Sequence, residues 1–143
     1  MSRERGDERG AMVAVETALI LPILLGMIGL LIVLAASAQT SMAVGSAASQ
    51  AARAASLERD TGAATAAAHT VAASTLTESG IDCRSHTVTV NAGGLNAPLG
   101  TVAGVSVTVT CTVDLGVGFP GFPDSRTLTA TRTSPVDTYR SRP

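Results

Sequence analysis

The chain has 143 residues, with ten Lys plus Arg, eleven Asp plus Glu and a formal net charge of −1, a balance that gives no electrostatic case for a nucleic-acid partner. Hydrophobic residues make up 45% but aromatics only 2%, with no Trp and a mean hydropathy of +0.34. The apolar content is therefore mostly Ala, Val and Leu, which excludes a large aromatic core, and the length fits one domain plus an anchor.

The first ten residues form a short charged leader, predicted to be cytoplasmic, that carries Arg3, Arg5 and Arg9. Residues 17–38 contain no ionisable group. About 20 apolar residues span a hydrocarbon core of ~30 Å, so residues 11–38 are predicted as a single transmembrane helix. After Arg9 the next basic residue is Arg53. Arg and Lys near the helix ends set orientation, which places the N-terminus in the cytoplasm and the rest outside. Pro22 lies within the run and predicts a kink near its N-terminal end. A second reading is a cleavable secretory signal, with Ala36-Ser37-Ala38 as the site and Gln39 as the mature start. The apolar stretch is longer than the ~7–15 residues of a usual signal core.

Glu16 is the exception in this region. A carboxylic side chain at the centre of a membrane helix costs ~2.5–3.5 kcal/mol, and less near an end. Either Glu16 reaches water at the inner interface, or it meets an opposite charge within the membrane or an assembly.

Residues 39–80 are Ala-rich and predicted helical outside the membrane. Ser37, Ser41, Gly45 and Ser49 recur every four residues, as do Ala43, Ala47, Ala51 and Ala55, so each set lies on one helix face. Small residues so placed permit close helix approach, although an Ala-rich sequence fills every spacing with small residues. The membrane helix is expected to continue outward as a stalk; residues 11–58 as one helix would reach roughly 70 Å. Asp60 or Thr61 is predicted to cap a second, short amphipathic helix that Gly80 ends.

Residues 81–143 are predicted as a small β domain, where Val and Thr replace Ala and alternate. Val88 and Val90 alternate in one segment, Val105 to Leu115 in a second, and Leu128 and Ala130 in a third. Period two with β-branched residues is the strand signature, and the Gly- and Pro-rich connections predict an antiparallel meander. The fold class is therefore α+β: a long N-terminal transmembrane helix with an Ala-rich extension, a short helix, then a small antiparallel sheet. Cys83 and Cys111 are the two cysteines. Outside the membrane they are expected to bond, the other possibility being two buried thiols. Setting Cys83 directly opposite Cys111 would put the valines of the two strands on opposite faces. A bulge after Cys83, or Cys83 in the loop before the strand, restores the register.

Catalytic chemistry is not visible. His69 and His86 lie in different elements without ligand partners at metal spacing, and no nucleophile, phosphate or dinucleotide motif occurs. No enzymatic activity and no cofactor are expected. Phe119 and Phe122 share one turn, as a partner contact or, more simply, as rings folded over the sheet edge.

The stretch R-G-A-M-V-A-V-E-T-A-L-I-L-P resembles the N-terminal signature of TadE-like proteins, pseudopilin-type components of tight-adherence (Flp, type IV-like) pilus systems. A membrane helix, an Ala-rich stretch with Q-A-A-R-A-A-S, a small domain with two cysteines and the ending T-A-T-R-T-S-P-V-D-T-Y-R continue the likeness. The resemblance implies a minor pilin or assembly component in the inner membrane, with other pilin or pilus-assembly subunits as partners. It also implies cleavage by a prepilin peptidase after Gly10 and pairing of Glu16 with a neighbouring subunit's new N-terminal amine. Cleavage after Gly10 makes Glu16 the sixth mature residue where the family has the fifth; cleavage after Ala11 restores five with Ala in place of Gly. Thr17 stands where pilins often carry Phe or Tyr. The chain is either processed or kept whole as an anchored assembly factor. The alternative function is a secreted or anchored cell-envelope binding module with no pilus role.

Overall fold

A computed structural model of the chain describes residues 4–116 and 124–138, with side chains in the first segment from residue 13 onward. The element order is helix α1 (Glu4–Leu57), helix α2 (Thr61–Glu78), strand β1 (Ser85–Asn91), a 3-10 turn (Gly93–Asn96), strand β2 (Gly104–Asp114) and strand β3 (Ser125–Pro135). This is the expected α+β order. Two compact units are distinguished, Met1–Ala38 and Gln39–Pro143. The turn holding Phe119 and Phe122 lies outside the described residues.

In the first unit α1 runs on through Pro22 without a break in the helix. Proline has no N–H, so the Ala18 carbonyl has no donor one turn later. Ala, Leu, Met and Ile dominate the surrounding sequence, and every described side chain from Val13 to Leu34 is exposed.

In the second unit α2 is bounded by caps that are legible locally. The α2 N-cap is Asp60, in extended conformation, whose carboxylate accepts the Ala63 N–H at 2.8 Å. At the other end Gly80 adopts a φ of +66°, a conformation that costs side-chain-bearing residues energy. The Ile81 N–H then reaches the Leu76 carbonyl at 3.2 Å and the Gly80 N–H the Thr77 carbonyl at 3.0 Å. These two bonds form a Schellman closure, which satisfies the orphan carbonyls of the last turn. Substituting Asp60→Ala is expected to lower stability by about 1 kcal/mol, measured as a fall in the urea midpoint without a change in slope.

The sheet has the order β1-β2-β3, antiparallel throughout. Central strand β2 alternates strictly: Val105, Val107, Val109 and Cys111 are fully buried, while the residues between them face outward. The register places Val88 and Ala130 on either side of Val109, and His86 and Leu128 on either side of Cys111. Valines of neighbouring strands thus share one face, as alternation demands.

That inner face joins a core built from very small side chains. Val44, Ala47, Ala48, Ala51, Ala52 and Ala55 of α1 are buried with Ala64, Ala68, Ala72 and Leu76 of α2. Of the two four-residue sets in the sequence, the alanine set turns inward, whereas Ser41 and Ser49 are exposed. Alanine lets a helix lie close to its neighbours but removes little apolar area from water per residue. Toward β3, a Cβ added at Gly45 would stand 3.4 Å from Nη2 of Arg132. Ser56 Oγ donates to the Arg53 carbonyl at 2.8 Å, so in its 3.0 Å contact with Ser134 Oγ it is Ser134 that donates. A second close approach joins the 3-10 turn to β2. A Cβ at Gly94 would collide with the Gly104 carbonyl, which only Gly avoids.

Candidate functional site

Two regions carry the residues singled out above, one in each compact unit. In the first, Gly10 and Ala11 lie within α1. Glu16 follows on the same helix and is exposed, as are its neighbours. The Thr17 hydroxyl turns back to donate to the Val13 carbonyl at 2.9 Å, so its polarity is absorbed by the helix itself. Fifteen Val, Leu, Ile and Met side chains between Val13 and Leu34 are each at least 45% exposed. The helix is long and apolar enough to cross a membrane, and none of its most apolar window is buried within the chain. An apolar surface of this extent is far larger than a soluble monomer leaves in water, so it needs an apolar surround. Within that surface Glu16 supplies an isolated carboxyl.

In the second unit the structure joins Cys83 and Cys111 in a disulfide with a Cα separation of 5.5 Å. Cys83 stands in the loop before β1, two residues ahead of the strand, and β1 aligns His86 rather than Cys83 with Cys111. Of the two ways to reconcile the cysteines with the valine pattern, the loop position is the one used. Cys111 is fully buried in the inner face, so the bond ties the α2–β1 connection directly into the core. Next to it the Arg84 N–H donates to the Thr112 carbonyl at 2.8 Å, and the Arg84 guanidinium meets Asp114 at 3.4 Å. Both side chains of that ion pair are more than half exposed, and it contributes little.

Sequence alternation also left a feature that the expected sites do not include. The outer face of the sheet carries four complete three-strand rows, with the Asp114–Ser125 pair beyond them at one end. They read Ser85-Thr112-Thr127, Thr87-Thr110-Thr129, Thr89-Thr108-Thr131 and Asn91-Ser106-Thr133. Eleven of the twelve side chains are hydroxyls, the twelfth is an amide and none is charged. Three cross-strand hydroxyl pairs order the middle of the face: Thr108 with Thr131 at 2.8 Å, Thr110 with Thr129 and Thr112 with Thr127, both at 3.1 Å. The signal was present as Thr at every second position. Only the register shows that the three sets align.

Among the described residues no group of three His, Cys, Asp or Glu side chains is placed to hold a metal ion. His69 and His86 are both exposed, on α2 and β1 respectively. A notch of about 10 Å³ lies between the 3-10 turn and Val136, enough for one water.

Together these features define a class: an α+β protein with one apolar helix able to span a membrane and a small disulfide-bonded sheet domain. No protein-family model matches the chain, and neither a curated protein nor a solved structure matches it.

Proposed function

We propose that the chain is a membrane-anchored, TadE-like minor pilin or assembly component of a bacterial tight-adherence or type IV-like pilus apparatus. In this reading α1 crosses the inner membrane with its N-terminus in the cytoplasm and the sheet domain outside. Its role is structural rather than catalytic, and its partners are other pilin or assembly subunits. The observation that carries the reading is Glu16, an exposed carboxyl six residues after Gly10 at the head of an apolar stretch of α1 whose side chains from Val13 to Leu34 are all exposed. The sequence around it supports the family resemblance.

The physics of such a carboxylate favours assembly. Opposite charges attract strongly where the dielectric is low, and an unpaired buried charge is heavily penalised. Glu16 would therefore select the neighbour that brings a positive group to its depth, and so set axial register. A free amine made by cleavage after Gly10 or Ala11 is one such group.

Two measurements test this. Sequencing the mature N-terminus distinguishes a start at Ala11 or Met12, which supports pilin-type processing, from an intact Met1, which leaves an uncleaved assembly factor. A start at Gln39 would remove the anchor and with it the proposal. In cells, Glu16→Gln and Glu16→Ala are each expected to reduce surface pili by roughly tenfold or more while leaving membrane levels of the protein unchanged. Normal piliation in both variants would sink the role given to Glu16.

A further inference from the structure

We infer that the outer face of the sheet is a docking surface for a neutral, hydroxyl-rich polysaccharide. The inference stands on the face alone and does not depend on the pilus reading.

Charge complementarity decides the class of partner. The four rows carry no formal charge, although the chain has ten basic and eleven acidic residues. The charged pair Arg84 and Asp114 stands only at one end of the face. Within the four rows an anionic polymer finds no cation and a cationic one finds no carboxylate. An apolar partner would strip water from eleven hydroxyls and an amide without replacing the hydrogen bonds, a loss at each position. A partner made of hydroxyls offers both a donor and an acceptor wherever it touches.

The geometry suits an extended polymer. Side chains on one face repeat about every 6.6–6.8 Å along a strand and about every 4.7–4.9 Å across strands, so the hydroxyls form a regular array. The side chains in these rows are all short, Thr and Ser with the single Asn91. Within each Thr pair one hydroxyl donates to the other, which spends one hydrogen and one lone pair of the two groups. The remaining donor and acceptor capacity is held in fixed positions, since the paired rotamers are set by their partners. A ligand meeting this face would not have to order those side chains first. Each contact is weak, so retention depends on many copies acting on one polymer.

The test uses the full chain reconstituted at high density in lipid vesicles. Vesicles are sedimented with microcrystalline cellulose or chitin, with alginate beads as the charged control. The comparison variant is Thr108→Val, Thr110→Val and Thr129→Val together, which keeps shape and strand propensity but removes three hydroxyls. An unchanged melting temperature and an intact Cys83–Cys111 bond establish that this variant folds. The expected result is retention on at least one neutral glycan, insensitive to salt, and reduced roughly tenfold or more in the variant. No retention on either glycan, equal retention by the folded variant, or retention abolished by salt would each overturn the inference. So would a change of oligomeric state in place of a change in retention, because the face would then be a contact between copies of this chain.

Discussion

The double substitution Cys83→Ala, Cys111→Ala is expected to lower the stability of the second compact unit by about 3–4 kcal/mol. The bond closes a separation of 28 residues, and cross-linking a loop of that size restricts the unfolded chain by about this amount in the chain-entropy model. For a domain near 100 residues the loss corresponds to a melting temperature lower by about 15–25 °C. The dependence is strong because the rest of the core is weak. Its largest fully buried side chains are Val44, Val105, Val107, Val109 and Cys111, and most of its helical contributors are alanines. Small side chains remove little apolar area, so a covalent tie supplies what the core lacks. The measurement is thermal melting of the full chain in nanodiscs, followed by hydrogen exchange at β2 amides. Dithiothreitol should reproduce the effect in the unsubstituted protein. An equal melting temperature with and without reductant would refute it.

The second large effect concerns the alanines themselves. Ala51 is fully buried in the helical part of the core, whereas Ala66 on α2 is exposed. Ala51→Leu is expected to destabilise by about 2–3 kcal/mol, because extra methylenes in a packed core force strain. Ala66→Leu should stay within about 0.5 kcal/mol of the parent. Both residues sit in Ala-rich helices and both changes raise hydrophobicity. A chemical-denaturation series on the full chain separates the two outcomes: equal midpoints for the two variants would mean that the alanine face is not closely packed.

Much of the architecture is legible in local pattern. A run of residues 17–38 without an ionisable group can only be a long apolar helix or a signal core, and the structure holds it as part of α1. Asp60 and Gly80 mark the ends of α2 because capping depends on residues within one turn. The strands show themselves through period-two Val and Thr, and alternation in β2 predicts which residues are buried. The carboxyl at Glu16 is conspicuous for the same reason: one ionisable residue stands at the head of a segment that otherwise has none.

Long-range arrangement is less visible. In the Ala-rich region both the Ser and Gly set and the Ala set satisfy helical spacing, so periodicity alone does not choose between them. Packing chooses, and it buries Ala47, Ala51 and Ala55 while leaving Ser41 and Ser49 in contact with solvent. Cys83 was compatible with a bulged strand or with a loop, and the loop position follows from how β1 aligns with β2. The hydroxyl face is the largest feature of this kind. Each strand alone shows alternate threonines, a common solvent-facing pattern, but the four unbroken rows exist only once three strands share one register.

By itself, then, the sequence determined the class of each helix and strand, the ends of α2, the apolar helix and the anomaly at Glu16. These depend on interactions within a few residues of one another. Tertiary structure decided which small-residue face is buried, where Cys83 stands relative to Cys111 and how the threonines align. Those depend on contacts between segments far apart in the chain, where several alternatives satisfy the same local pattern and packing selects among them.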